Sequence, residues 1–88
     1  MPKRGPEVKA KTYVEVIALH KKDGSCVPVL IIYTDGRCFK VDQVLDVRRA
    51  AAYHSGAVGL RYHIQIGSKR TFLFYEKPRW FVEATVRQ

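Results

Sequence analysis

The sequence predicts an all-β fold, a small antiparallel barrel of five to six strands joined as a meander. Three observations carry that expectation. Val, Ile, Tyr, Phe and Thr recur along the chain, the residue types that suit a pleated, half-buried surface. Two Asp-Gly pairs, Asp23-Gly24 and Asp35-Gly36, interrupt apolar runs, and Asp-Gly supplies the positive φ that tight hairpins need. Residues 59–76, GLRYHIQIGSKRTFLFYE, hold two alternating runs about a Gly-Ser-Lys-Arg turn and read as a further hairpin.

Residues 1–11 carry Pro2, Gly5 and Pro6 with four cations and one acid, and are expected to form a flexible basic arm. Residues 12–88 are expected to make one β-barrel domain. A first strand spans 12–21, a turn 22–25 and a second strand 26–33. Pro28 cannot donate to a ladder, so it should sit at an edge or a bulge. A third strand follows from Arg37.

If each Asp-Gly pair is itself the two-residue loop, Tyr33 faces Cys38, Ile32 faces Phe39, Leu30 faces Val41, Ile17 faces Leu30 and Leu19 faces Pro28. One side then holds Ile17, Leu19, Leu30, Ile32, Phe39 and Val41, the expected core. The other holds Val14, Val16, Ala18, Val27, Val29 and Ile31, beside Lys40 and Asp42. A second apolar face needs cover, either from the rest of a closed barrel or from another molecule. A bulge in either turn would move the register by one residue and exchange the faces.

Residues 41–53 fit two periods. Val41, Val44 and Leu45 make a helical stripe that Ala50, Ala51 and Ala52 favour; alternation fits as well. We read a strand that bends near Asp42 and ends near Ala51, with a helix as the open alternative. A glycine-bearing loop covers 54–59. With a turn at 67–70, Ile66 faces Thr71, Ile64 faces Leu73 and Tyr62 faces Tyr75. Leu60, Tyr62, Ile64, Ile66, Leu73 and Tyr75 then share the core side. Arg61, His63, Gln65, Phe72 and Phe74 share the other, with Lys69 and Arg70 at the tip. After the break at Lys77-Pro78-Arg79 a last strand spans 80–84, and Trp80 or Phe81 should plug one end of the core.

Sixteen Lys and Arg against eight Asp and Glu leave a formal charge of +8. Such an excess bears on partners rather than on fold, and points to a polyanion. There is no run of about eighteen apolar residues to span a membrane, and no apolar stretch behind the N-terminus to serve as a secretory signal. Two cysteines are too few for a disulfide framework, so a reduced, cytoplasmic setting is expected. In the register above Cys26 and Cys38 lie roughly 23 Å apart at ~3.3 Å per residue. A disulfide needs Cα atoms within about 7 Å, so both thiols should be free.

The mixed face is the candidate site. Aromatic rings flanked by cations on an exposed sheet stack bases and hold phosphates. Arg61, His63, Phe72, Phe74, Lys69 and Arg70 are the expected nucleic-acid-binding residues. The alternative is that Phe72 and Phe74 are covered by another strand or a second subunit. Four cation clusters, Lys21-Lys22, Arg48-Arg49, Lys69-Arg70 and Lys77 with Arg79, would form a stripe only if the fold gathers them. Four phosphate contacts would set a salt slope of roughly −3 to −4. His20, Cys26, Cys38, His54 and His63 show no zinc-ligand spacing. No nucleophile, base and oxyanion donor come together, and the glycines form no phosphate-binding motif. The expectation is therefore a non-enzymatic module without catalytic residues, metal or cofactor.

Two resemblances accompany this reading. Three meandering strands, a looped crossing, a hairpin, a short break and a last strand resemble the SH3-like barrel layout over residues 12–84, with no SH3 ligand motif matched. RYHIQIGSKRTFLFYEKPRWFVE is similar to the C-terminal half of short uncharacterised proteins of Gram-positive bacteria, a family that brings no activity with it. The expected partners are DNA or RNA. The alternative is a protein-interaction or self-assembly module, a homodimer for example, using the apolar face of the first hairpin. Neither a membrane nor a small-molecule substrate is implied.

Overall fold

The computed structural model describes residues 7–51 and 58–87, and side chains within 10–49 and 59–83. It has seven strands: β1 (Glu7–His20), β2 (Cys26–Ile32), β3 (Cys38–Lys40), β4 (Gln43–Ala51), β5 (Val58–Ile66), β6 (Lys69–Glu76) and β7 (Arg79–Arg87). Their order in the sheet is β3-β2-β1-β7-β6-β5-β4, antiparallel throughout. Every strand neighbours its successor except β3 and β4, and the first strand pairs with the last. The result is an open half-barrel, not the closed barrel of five to six strands expected.

The opening has a local cause. The Val41 amide donates to the Val29 carbonyl at 2.9 Å, while the next amide, Asp42, donates to the Gln65 carbonyl at 2.8 Å. The chain thus passes from one sheet edge to the other between consecutive residues. The Asp42 carboxylate also accepts from the Gly67 amide at 2.6 Å, which pins this corner to the β5–β6 turn. β3 is only three residues long and forms no ladder with β4. Residues 41–53 resolve accordingly: a strand, β4, follows the corner and runs to Ala51.

β1 begins five residues earlier than expected. Glu7 to Val14 pair with β7, from Arg87 back to Trp80, and Glu15 to His20 pair with β2. Residues 7–11 therefore belong to a strand and not to an arm; residues 1–6 lie outside the described residues.

Both Asp-Gly turns are three-residue loops. The Lys21 amide donates to Ser25 O at 2.9 Å and Tyr33 N to Arg37 O at 2.8 Å, with Gly24 and Gly36 at φ +90° and +89°. This is the turn-plus-glycine-bulge form of hairpin. The Asp side chains close the loops. The Ser25 hydroxyl (2.6 Å) and amide (2.9 Å) donate to Asp23 Oδ1 and hold that carboxyl below its usual range. The Arg37 amide, at 3.0 Å, does the same for Asp35.

The extra loop residue corrects the expected register by one. Ile32 faces Cys38, Ile31 faces Phe39 and Leu30 faces Lys40. A second irregularity between Ile17 and Ala18 puts Ala18 opposite Pro28 and Leu19 opposite Val27, while Ile17 still faces Leu30. Pro28 is buried beside that irregularity, as its missing N–H requires. Because side chains alternate with period two, a slip of one exchanges the faces. Val14, Val16, Ala18 and Ile31, expected on the other side, join the core, while Phe39 and Val41 are inside as expected. Ile17 and Leu19, expected inside, are 54% and 55% exposed.

The second hairpin slips by two and keeps its faces. Its loop is Gly67-Ser68, with positive φ at the glycine alone, the pattern of a type II′ turn. Tyr62 faces Leu73 and Leu60 faces Tyr75. Ile64 and Leu73 are fully buried, with Tyr62, Ile31, Val41 and Trp80 around them. Trp80 does close the core, its ring 4.4 Å from Tyr75 and 5.4 Å from Tyr62. Both thiols are free; Cys26 is half-buried and Cys38 exposed.

The Tyr62 hydroxyl donates to the Cys26 carbonyl at 2.6 Å and ties β5 to β2. Burial pushes the Tyr62 hydroxyl up from its ordinary pKa, and burial raises the Cys26 thiol too. An acid whose pKa is raised on folding keeps a proton that the unfolded chain releases. Stability from Tyr62 is therefore complete below about pH 10 and falls as pH climbs above it. In denaturant titrations Tyr62→Phe should lose about 0.5–1.5 kcal/mol at pH 7 and show a shallower decline above pH 10 than the parent protein.

Candidate nucleic-acid interface

The strand pairing sets five side chains in one row across the outer side of the sheet. Arg48 of β4 faces Arg61 of β5, which faces Phe74 of β6, then Phe81 of β7, then Tyr13 of β1. One step along lies a shorter row of Asp46, His63 and Phe72. The alternation that buries Tyr62, Ile64 and Leu73 turns Arg61, His63, Phe72 and Phe74 outward together.

Within the rows the rings stack on one another and under cations. Phe74 and Phe81 lie 4.9 Å apart and nearly parallel, and Tyr13 meets Phe81 edge-on at 5.7 Å. Lys11 sits over Phe81 at 4.7 Å and bridges to Glu76 at 3.3 Å. His63 stacks on Phe72 at 4.8 Å, and the Arg61 guanidinium lies over the same ring at 4.8 Å. The Arg79 guanidinium lies 4.0 Å from the centre of the Tyr13 ring and donates to its hydroxyl at 3.3 Å.

Exposure divides these rings by role. Phe81 is 3% exposed although it points away from the main core: its neighbours in the row seal it. Phe74, half-buried, packs beneath it. Of the two phenylalanines singled out in the sequence, Phe74 is thus largely a packing residue. Phe72, 42% exposed, is the ring on offer, and Tyr13, 37% exposed, is a second. Two strand spacings and two residues put these two rings about 12 Å apart, far enough to engage different bases.

The charge on this face is mixed. Asp46 is paired with Arg48 at 2.6 Å, and Glu76 with Lys11. The remaining cations are Arg61 and Arg79, each on a ring, and Arg70, exposed near the start of β6, with Lys69 next to it at the hairpin tip. Of the four clusters, the fold brings Arg48, Arg70 and Arg79 to this side; Lys69, opposite Ile66, alternates to the other. Arg49 alternates to the other side, where it lines a small cleft with Gly59, Leu60, Tyr75 and Lys77. Lys21 and Lys22 lie on the β1–β2 turn, away from the rows. As members of this face sequence reasoning missed Lys11 and Tyr13, which the β1–β7 pairing brings here. It also missed Phe81 and Arg79, which the β6–β7 pairing sets opposite Phe74 and Glu76; Arg79 stood out only within a cation cluster. The period-two placement of Lys11 with Tyr13, and of Arg79 with Phe81, is the signal that marks them as sharing a side.

Among the described residues no three His, Cys, Asp or Glu side chains converge. His54 lies outside those residues. The chain matches no family model, and no curated protein or solved structure shows significant similarity to it.

The two rings should separate in a stability measurement. Phe81→Ala should cost about 3–5 kcal/mol, the loss of a buried aromatic anchor. Phe72→Ala should stay within about 1 kcal/mol of the parent protein, as for an exposed side chain. Urea denaturation of both variants checks the difference.

Proposed function

We propose that this chain is a non-enzymatic module that binds single-stranded DNA or RNA across the outer side of β5, β6, β7 and β1. The observation that carries the reading is Phe72: an exposed aromatic ring flanked by Arg61 and His63, with two further cations at the hairpin tip. A sheet that offers rings and guanidinium planes suits splayed bases, each stacked base contributing about 1–3 kcal/mol. The excess of eight positive charges favours a polyanion as partner. A single strand fits better than a duplex, because the rings are usable only by bases already out of a stack.

A second reading rests on Ile17, Leu19 and Val29, which are exposed together on the outer side of the first hairpin. In this reading the hairpin meets another protein or a second copy. It differs from the face first expected, since Val14, Val16 and Ile31 turn inward. An exposed apolar patch is a common mark of protein contact.

One set of measurements separates the two. Fluorescence anisotropy with a labelled oligothymidylate should give binding whose log K falls with log salt at a slope of about −3 for four phosphate contacts on a single strand. Phe72→Ala should weaken it by about tenfold, the effect of one stacked base. Under the second reading Phe72→Ala changes nothing, and Leu19→Lys instead disperses a dimer seen by light scattering.

A further inference from the structure

Beside Tyr13, where β1 passes from β7 to β2, lies an open groove of about 600 Å³. That volume is in the range of small-ligand sites. Tyr13, which ends the aromatic row, and Arg79, stacked on it, line the groove from the outer side. Val14, Val16 and Trp80, which turn toward the core, line it as well, so the groove opens where the outer face meets the split between β7 and β2. Tyr33, Thr34 and Glu15 also line it, Glu15 being an exposed acid two residues along β1 from Tyr13 and so on the same side of the strand.

Glu15 is the informative residue. Of the other acids on this face, Asp46 and Glu76 are paired within the protein, and Glu83 lies outside the groove, opposite Lys11 on β7. Among the described residues the Glu15 carboxylate has neither an ion pair nor a hydrogen bond, and the nearby Arg79 guanidinium is engaged with Tyr13 instead. An unpaired carboxylate repels phosphate, so the groove is unsuited to the backbone of a nucleic acid. It suits N–H donors. A ring and a guanidinium plane provide the stacking surface, and two carboxylate oxygens provide adjacent acceptors.

We propose that the groove is a base-selective subsite of the strand-binding face and that it prefers guanine. This rests on the single-strand reading above. Guanine presents a ring N–H and an amino N–H side by side, which match the two oxygens of Glu15. Thymine and uracil present one ring N–H between two carbonyls, which the carboxylate repels. Adenine and cytosine offer an amino group next to a ring acceptor, and so only half of the match.

The test compares two labelled strands of about eight nucleotides, within the span small barrels cover: oligothymidylate, and the same strand with one guanine near its middle. The full chain should bind the guanine strand about tenfold more tightly, the usual size of a bidentate base contact. Glu15→Ala should bring the two affinities together. Equal affinities in the parent protein, or a guanine preference that survives Glu15→Ala, would overturn the subsite. If Phe72→Ala still weakens both strands in that case, the strand-binding reading stands without it. If neither strand binds the parent protein, both fall.

Discussion

β1 is the one strand that belongs to both halves of the molecule, and the alternation of its side chains decides what is inside and what is outside. Its first half pairs with β7 and its second with β2, with the exchange between Val14 and Glu15. Val14, Val16 and Ala18 line the core shared by the two halves. Tyr13, Glu15, Ile17 and Leu19 are thereby committed to the surface. The aromatic row, the groove and the exposed apolar patch are all consequences of that assignment. None could be moved to the other side without turning the whole strand over.

The outer rows differ from a second core in how they are finished. A sheet with apolar residues on both faces needs something to cover the second one. Here the cover is partial and comes from the face itself. Lys11 and Tyr13 close over Phe81, and Phe81 stacks on Phe74, so two rings are removed from water by their neighbours. What is left exposed is a ring at each end of the arrangement, Phe72 and Tyr13, each already in contact with a guanidinium. On the single-strand reading proposed above, a base arriving at either end would meet a ring and a planar cation already in place, which would lower the ordering cost of association. The paired acids on the same face reduce its field. Affinity on this account leans on stacking, with charge from Arg61, Arg79, Lys69 and Arg70 setting the salt dependence.

Most of the strands were legible in the letters, and the errors lie in loop lengths and in which strands pair. Alternation identified the strands, including 43–51, where a helix also fitted the pattern. The second hairpin's faces were right although its loop was misjudged by two residues, because two is a full side-chain period. The first hairpin's faces were inverted although Ile17 still faces Leu30. The extra residue in the second Asp-Gly loop sets Phe39 opposite Ile31 and not Ile32, so β2 and β1 turn their other side to the core. Asp-Gly does not distinguish a two-residue loop from a three-residue loop ending in a glycine bulge. For the site, Arg61, His63, Phe72 and Phe74 were gathered correctly because one hairpin carries them. Tyr13 was not, since the β1–β7 contact joins residues about seventy positions apart and no local pattern encodes such a pairing. Arg79 was not, since Lys77-Pro78-Arg79 reads as a break and not as the tight β6–β7 turn that sets Arg79 opposite Glu76. The closed barrel failed at a place the sequence does mark: it shows the bend near Asp42, but not that Val41 and Asp42 bond to opposite sheet edges and leave β3 and β4 unpaired.

The central claim is that bases meet the outer side of β5 to β1, and amide chemical shifts test it most directly. Oligothymidylate is titrated into the isotope-labelled full chain, and each backbone signal is followed. The account predicts the largest changes around Phe72, Arg61, the β5–β6 tip, Tyr13 and Arg79, with the outer side of the first hairpin unmoved. Changes centred on Ile17 and Leu19, or no changes at all at saturating strand, would contradict it.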